Sequence, residues 1–244
     1  MKTKLSVNLN KIALLRNSRA ANYPKVLDFA QLCVQYGAHG VTVHPRPDQR
    51  HATYQDVYDL AEFRNENANI ELNIEGYPTT DFLETVKSAR ADQCTLVPDE
   101  PNQITSDHGW DTRSRGDFLA PIIKDLKGSG IRTSIFLDPD PSMVESAAST
   151  GTDRIELYTE AYAKAYGTAE QDEVFDQYYR TAQAALDAGL ELNAGHDLNQ
   201  RNLAKFLTIP EILEVSIGHA LTIEALIDGY EKTVRTYVEL VESA

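Results

Sequence analysis

Strand-like and helix-like stretches alternate about eight times along this 244-residue chain. The patterning predicts strands over 5–10, 40–46, 70–75, 93–98, 132–138, 154–159, 191–196 and 214–219. Helical periods fall between and after them, over 23–36, 54–66, 80–90, 118–127, 141–149, 170–188, 200–207 and 221–242. Regular alternation of this kind is the signature of a parallel sheet wrapped in helices, and eight repeats fit a (β/α)8 or TIM barrel. The length suits one such barrel spanning residues 1–244, with no linker or break in composition. A doubly wound open sheet is the runner-up, but no glycine-rich dinucleotide turn follows the first strand. Two connections, 99–115 and 160–168, exceed the usual loop length and are expected to act as lids.

Strand parity sharpens the reading. In a barrel, alternate side chains point out to the helices or into the interior. Val7, Val41, Val43, Leu72, Ile74, Leu96, Ile135, Leu157, Leu192, Val215 and Ile217 fall on the outward face. The inward set includes Ser6, Asn8, Asn10, Thr42, His44, Arg46, Glu71, Asn73, Glu75, Thr95, Glu156, Tyr158, Asn193 and Ser216. Barrel interiors are usually packed with branched aliphatic residues. Buried carboxylates cost several kcal/mol unless paired or hydrogen-bonded, so one satisfied carboxylate argues only for structure. So many polar groups converging on one interior argue for a polar ligand held at the C-terminal ends of the strands.

The most informative stretch is Gly40-Val-Thr-Val-His-Pro-Arg-Pro-Asp-Gln-Arg-His51, where two prolines end a strand and deliver His44, Arg46, Arg50 and His51 to its mouth. Two Gly-His pairs, Gly195-His196 and Gly218-His219, stand where this fold commonly cradles phosphate on helix N-termini. Arg16 and Arg19 follow the first strand and Arg46 and Arg50 the second, a set able to supply a second anion site, with an ordinary surface residue as the alternative for Arg16. His39 falls at the opposite end of the barrel.

Charge limits the partners. With 23 Lys+Arg against 37 Asp+Glu the formal net charge is −14, which argues against nucleic acid and anionic membranes. A phosphate-bearing substrate then needs a local positive pocket. Cys33 and Cys94 sit in apolar runs and are expected to be reduced and buried, as in a cytosol. The chain opens directly into a strand and has no apolar run of membrane-spanning length, so a cytoplasmic protein is expected.

Several segments resemble the pyridoxine 5′-phosphate synthase family: Val7-Asn-Leu-Asn-Lys-Ile-Ala-Leu-Leu-Arg-Asn-Ser-Arg19, the stretch from Gly40 to His51, Asn69-Ile-Glu71, Leu96-Val-Pro98, Leu192-Asn-Ala-Gly-His196 and Ile217-Gly-His-Ala220. The match runs in order over nearly the whole chain. The resemblance implies a TIM barrel assembled as an octamer, with no metal and no organic cofactor. It implies condensation of 1-deoxy-D-xylulose 5-phosphate with 3-amino-2-oxopropyl phosphate, giving pyridoxine 5′-phosphate, inorganic phosphate and water. Carried over by position, His44 and Glu71 look like general bases and His196 like the proton donor. Asn8, Arg19, Gly218 and His219 match the amino-ketone phosphate site, and Arg46, His51 and Thr105 match the pentulose phosphate site. Glu156 matches an acidic residue near the chemistry.

There are departures from the family pattern. Asn10 and Lys11 stand where many members carry Asp-His at a pentulose contact. Asp197 replaces a glycine of some members, a change that preserves a backbone N–H contact. A metal-dependent aldolase or epimerase of sugar phosphates is the alternative, with His44, Glu71 and His196 as ligands. A non-catalytic phosphate-metabolite binder on the same barrel would not need the proton-transfer groups.

Overall fold

A computed structural model of the chain describes residues 2–99 and 107–243. Eight parallel strands close a barrel in sequence order: β1 (Lys4–Asn8), β2 (Gly40–Val43), β3 (Glu71–Gly76), β4 (Gln93–Leu96), β5 (Arg132–Leu137), β6 (Arg154–Tyr158), β7 (Glu191–Gly195) and β8 (Ile212–Ile217). Closure comes from β8 pairing with β1, Leu5 opposite Val215 and Val7 opposite Ile217. The (β/α)8 expectation holds.

The outward parity set forms the core between barrel and helices. Val7, Val41, Leu72, Ile74, Leu96, Ile135, Leu157, Leu192 and Val215 are each at most 1% exposed. Each such side chain contributes about 1.5–3 kcal/mol on leaving water, so this shell supplies the main drive for closure. Helix Tyr54–Glu66 starts where predicted, on a capping box in which Thr53 accepts the Asp56 N–H and Asp56 accepts the Thr53 N–H. Asp56 also receives a two-point ion pair from Arg16, which tethers this helix to helix Asn10–Asn17. Arg16 is therefore a fixed strut, not an open anion ligand.

Four segments differ from expectation. The segment after β1 is a helix (Asn10–Asn17), as is Glu160–Ala165 in the expected loop 160–168. The expected loop 99–115 falls partly outside the described residues. From Gly109 onward it is anchored: the Trp110 backbone donates to Phe136, its indole to Leu96, and helix Thr112–Gly128 follows at once. The predicted helix 221–242 is two helices, His219–Asp228 and Tyr230–Glu242, because Gly229 turns through φ 89° and ψ 145°, a region essentially restricted to glycine.

The interior is polar along its whole height. At the foot, Glu71 takes hydrogen bonds from Lys4 and Arg132, Arg154 pairs with Glu191, and Gln93 donates to Glu214. A middle layer joins Ser6 to Thr42 (2.6 Å), Asn73 to Thr42 (3.3 Å) and Thr95 to Asn73 (3.0 Å). The middle layer thus ties β1, β2, β3 and β4 together between this foot and the mouth.

Candidate active site

The mouth holds a cavity of about 560 Å³ lined by Asn8, Asn10, Lys11, His44, Arg46, His51, Glu75, Glu156, Tyr158, His196, Asp197, Gly218 and His219, among others. A volume of 300–1,000 Å³ with few, placed polar groups is typical of a small-molecule site. Of the residues expected from sequence, most converge here.

Glu71 does not. It begins β3 and lies at the foot of the barrel in its ion pairs with Lys4 and Arg132. Four residues of strand, roughly 13 Å at 3.3 Å per residue, separate it from the mouth. The carboxylate that arrives there is Glu75, on the same inward face near the end of β3. The displacement has a sequence cause: the tripeptide Asn-Ile-Glu occurs twice, at 69–71 and at 73–75, in the same parity. The same placement rules out the metal trio His44, Glu71 and His196, which the barrel holds at opposite ends. Among the described residues no group of three or more His, Cys, Asp or Glu is placed to hold a metal ion.

Glu75 is 6% exposed and accepts from Asn8 Nδ2 (3.3 Å) and Ser216 Oγ (3.4 Å). Burial, and then the charge of Asp99, push its carboxyl up to about 8. Glu156 is 1% exposed, and burial followed by the charges of Glu75 and Glu214 raises it well above the ordinary range. Its Oε2 meets no hydrogen-bond partner among the described residues. Like charges in a dry site cannot all ionise together, so the mouth keeps at least one carboxylic proton near neutral pH.

The imidazoles are shifted the other way. Burial, then the neighbouring charge of Arg46, holds His44 well below its usual value. Burial also leads the shift of His51, down to about 4, with Arg46 and Lys11 adding to it. The His51 Nδ1 accepts the Ala52 N–H at 3.0 Å, so in the neutral ring the proton sits on Nε2. His196 is lowered by burial, with Asp197 opposing. All three rings are therefore proton acceptors at neutral pH.

The asparagines fix this geometry. Asn8 Oδ1 accepts the N–H of Asn10 (3.1 Å), at the start of helix Asn10–Asn17, while its Nδ2 donates to Glu75, and Asn10 Oδ1 takes the His44 N–H at 2.8 Å. Gly218 and His219 open helix His219–Asp228, which has no side-chain cap. Its first-turn N–H groups are available to an anion. Arg46, 4% exposed, forms a buried ion pair with Asp99 at the rim. Arg19 is exposed and lies outside the cavity lining, and Thr105 lies outside the described residues.

The model of the pyridoxal phosphate biosynthesis protein PdxJ family matches residues 5–243. The chain belongs to the PdxJ family. PdxJ-family relatives include a pyridoxine 5′-phosphate synthase of Bacteroides fragilis, 50% identical over 96% of this chain and 98% of its own. Another, from Albidiferax ferrireducens, is 47% identical over 99% and 98%. Among solved structures, the N-(5′-phosphoribosyl)anthranilate isomerase of Pyrococcus furiosus superposes with a TM-score of 0.61 at 11% identity, covering 99% of this chain and 100% of that one. The YdjI aldolase of Escherichia coli gives 0.62 at 12% identity, covering 99% and 90%. At such identities the likeness shows the barrel fold alone.

Proposed function

We infer that this chain is a pyridoxine 5′-phosphate synthase, joining 1-deoxy-D-xylulose 5-phosphate to 3-amino-2-oxopropyl phosphate by acid–base catalysis. The observation that carries the chemistry is the convergence of Glu75, held near 8, with the neutral imidazoles of His44 and His196 in one cavity. Joining an amine to a ketone, shedding water and phosphate, and closing the ring are successive proton transfers, each gaining about 10²–10⁴-fold from a placed acid or base. Glu75 replaces Glu71 in the role of general base, acting from the ionised fraction that a value near 8 leaves at neutral pH; His44 is a second acceptor, and His196, neutral at rest, takes up a proton and returns it to a leaving group. Glu156 is the second carboxyl near the chemistry. The helix N-terminus at Gly218 and His219 and the cations Arg46 and Lys11 supply two places for phosphate. Incubating the chain with both substrates should produce the absorbance of a pyridine ring; no such absorbance with authentic substrates would end this reading.

Lys11 carries a prediction of its own. It lines the cavity, and its charge is felt by His51 and His196. Lys11→Ala should raise KM for the pentulose phosphate and largely spare kcat, as expected for uniform binding. The difference should shrink with added salt, since the Debye length is about 8–10 Å near physiological strength. Unchanged KM at low salt would make Lys11 a surface residue.

Self-association is also part of the proposal, to eight copies on the family resemblance. Its support is an exposed apolar face on two neighbouring helices, Leu14 and Leu15 with Ile223, Leu226 and Ile227, the last two 77% and 79% exposed. Sedimentation velocity reads the outcome directly, and a monomer at micromolar concentration would refute it. A cytoplasmic setting is supported by two free, buried cysteines.

A further inference from the structure

His196 and Asp197, at the end of β7, both adopt left-handed backbone, with φ 76° and 54°. Neither is glycine, and two such residues in succession persist only where their surroundings hold them. The turn aims the His196 ring into the cavity, edge-on to Tyr158 at 4.9 Å and to Phe136 at 6.0 Å. What holds it comes mostly from the neighbouring strand. Thr159, directly after β6 and fully buried, places its hydroxyl against the carbonyl oxygens of Gly195 (2.8 Å) and His196, sharing one proton between them. The Thr159 N–H also donates to Gly195 at 3.1 Å. Asn202 Nδ2 holds the next carbonyl, that of Asp197, at 3.2 Å.

Thr159 occupies the N-cap of helix Glu160–Ala165, where a threonine hydroxyl ordinarily accepts an N–H of the first turn. Here it makes no such bond and is turned across to β7 instead. The close approach of the strands is enforced from the other side too, since a Cβ on Gly195 would stand 2.1 Å from Glu156 Oε1. The turn is therefore seated against both a carboxyl of the site and the Thr159 hydroxyl.

We propose that Thr159 is a positioning residue for His196: its hydroxyl clamps the left-handed turn and so sets where the imidazole stands in the cavity. The idea rests on the reading of His196 as an acid–base group, but its structural half does not. Thr159→Val removes the hydroxyl at nearly constant volume, and Thr159→Ser keeps it. In the valine variant kcat should fall about ten-fold with KM for both substrates within about two-fold, the pattern of a displaced catalytic group. Because burial is what lowers His196, a released ring should titrate closer to the ordinary value near 6.5. The His196 Cε1–H resonance, assigned by its loss in His196→Gln, reports this without any substrate. Thr159→Ser should restore both the rate and the titration. Should valine prevent folding, Thr159→Ala removes the hydroxyl without adding a methyl, and the same pair of readouts applies. A His196 titration unchanged in the folded variants, or a serine variant as impaired as valine, overturns the clamp. A shifted titration with unchanged kcat sustains the clamp and instead overturns the acid–base role of His196.

Discussion

Glu75→Gln should lower kcat by about 10²–10⁴-fold while making the folded chain more stable at and above neutral pH. The amide keeps the size of the side chain and its contacts with Asn8 and Ser216 but cannot take up a proton. The stability gain follows from linkage. A glutamate ionises near 4.5 in the unfolded chain, whereas burial and Asp99 hold Glu75 protonated in the fold up to about 8. Below about 4.5 both states carry the proton. As pH rises from there toward 8, the unfolded state releases a proton that the fold retains, and stability declines through that window. Glutamine removes the decline, so thermal midpoints of variant and wild type should coincide near pH 4 and separate toward pH 8. Stability traded for function in this way is a general property of strained sites.

Glu71→Gln is the matching control. Burial alone would raise Glu71, but hydrogen bonds from Lys4 and Arg132 more than offset it and hold the carboxyl near 2. Its contribution is present above about 4.5 and is lost as pH falls toward 2, the reverse of Glu75. The variant should retain at least about half of kcat and lose stability at neutral pH. If Glu71→Gln abolished turnover and Glu75→Gln did not, the site would have been placed at the wrong end of the barrel.

These two glutamates show what the sequence makes legible and where it stops. Parity assigns a side chain to a face, and every apolar outward residue it named is buried in the core. Parity is silent about height along the strand, and Glu71 and Glu75 share one face. The tripeptide Asn-Ile-Glu occurs twice in that parity, and the family resemblance is carried on its first copy, at 69–71. A usable signal existed: in this fold the ends of strands carry the chemistry and their beginnings carry stability, and the predicted strand 70–75 already ended on Glu75. His44, Arg46, His196 and Gly218 were found because prolines or Gly-His pairs marked the strand ends. Thr159 carried no such mark, since its role depends on a carbonyl 36 residues away in sequence. Tyr158 stood in the inward set, yet only the packing shows its ring against His196.

The second large effect concerns Arg46, whose pair with Asp99 leaves the two side chains 4% and 1% exposed. Arg46→Met should cost about 3–5 kcal/mol, because it strands a buried carboxylate beside Glu75. That is a large share of the roughly 5–15 kcal/mol by which a domain is stable. Since the Arg46 charge also depresses His44 and His51, both imidazoles should titrate higher in the variant. Stability and ligand binding are separated by adding Asp99→Asn, which removes the stranded charge. The double variant should regain more than half of the lost stability, because what the single variant suffers is mainly an uncompensated charge. KM for the pentulose phosphate should stay raised in both, as no cation has been restored. Asp99 is the main charge raising Glu75, so the double variant should also shift the acid–base limb of the rate profile to lower pH. Denaturant unfolding with steady-state kinetics distinguishes the alternatives. Stability that fails to recover would mean the ion pair is not what the single variant lost; a KM that recovers with it would mean Arg46 holds Asp99 and not phosphate.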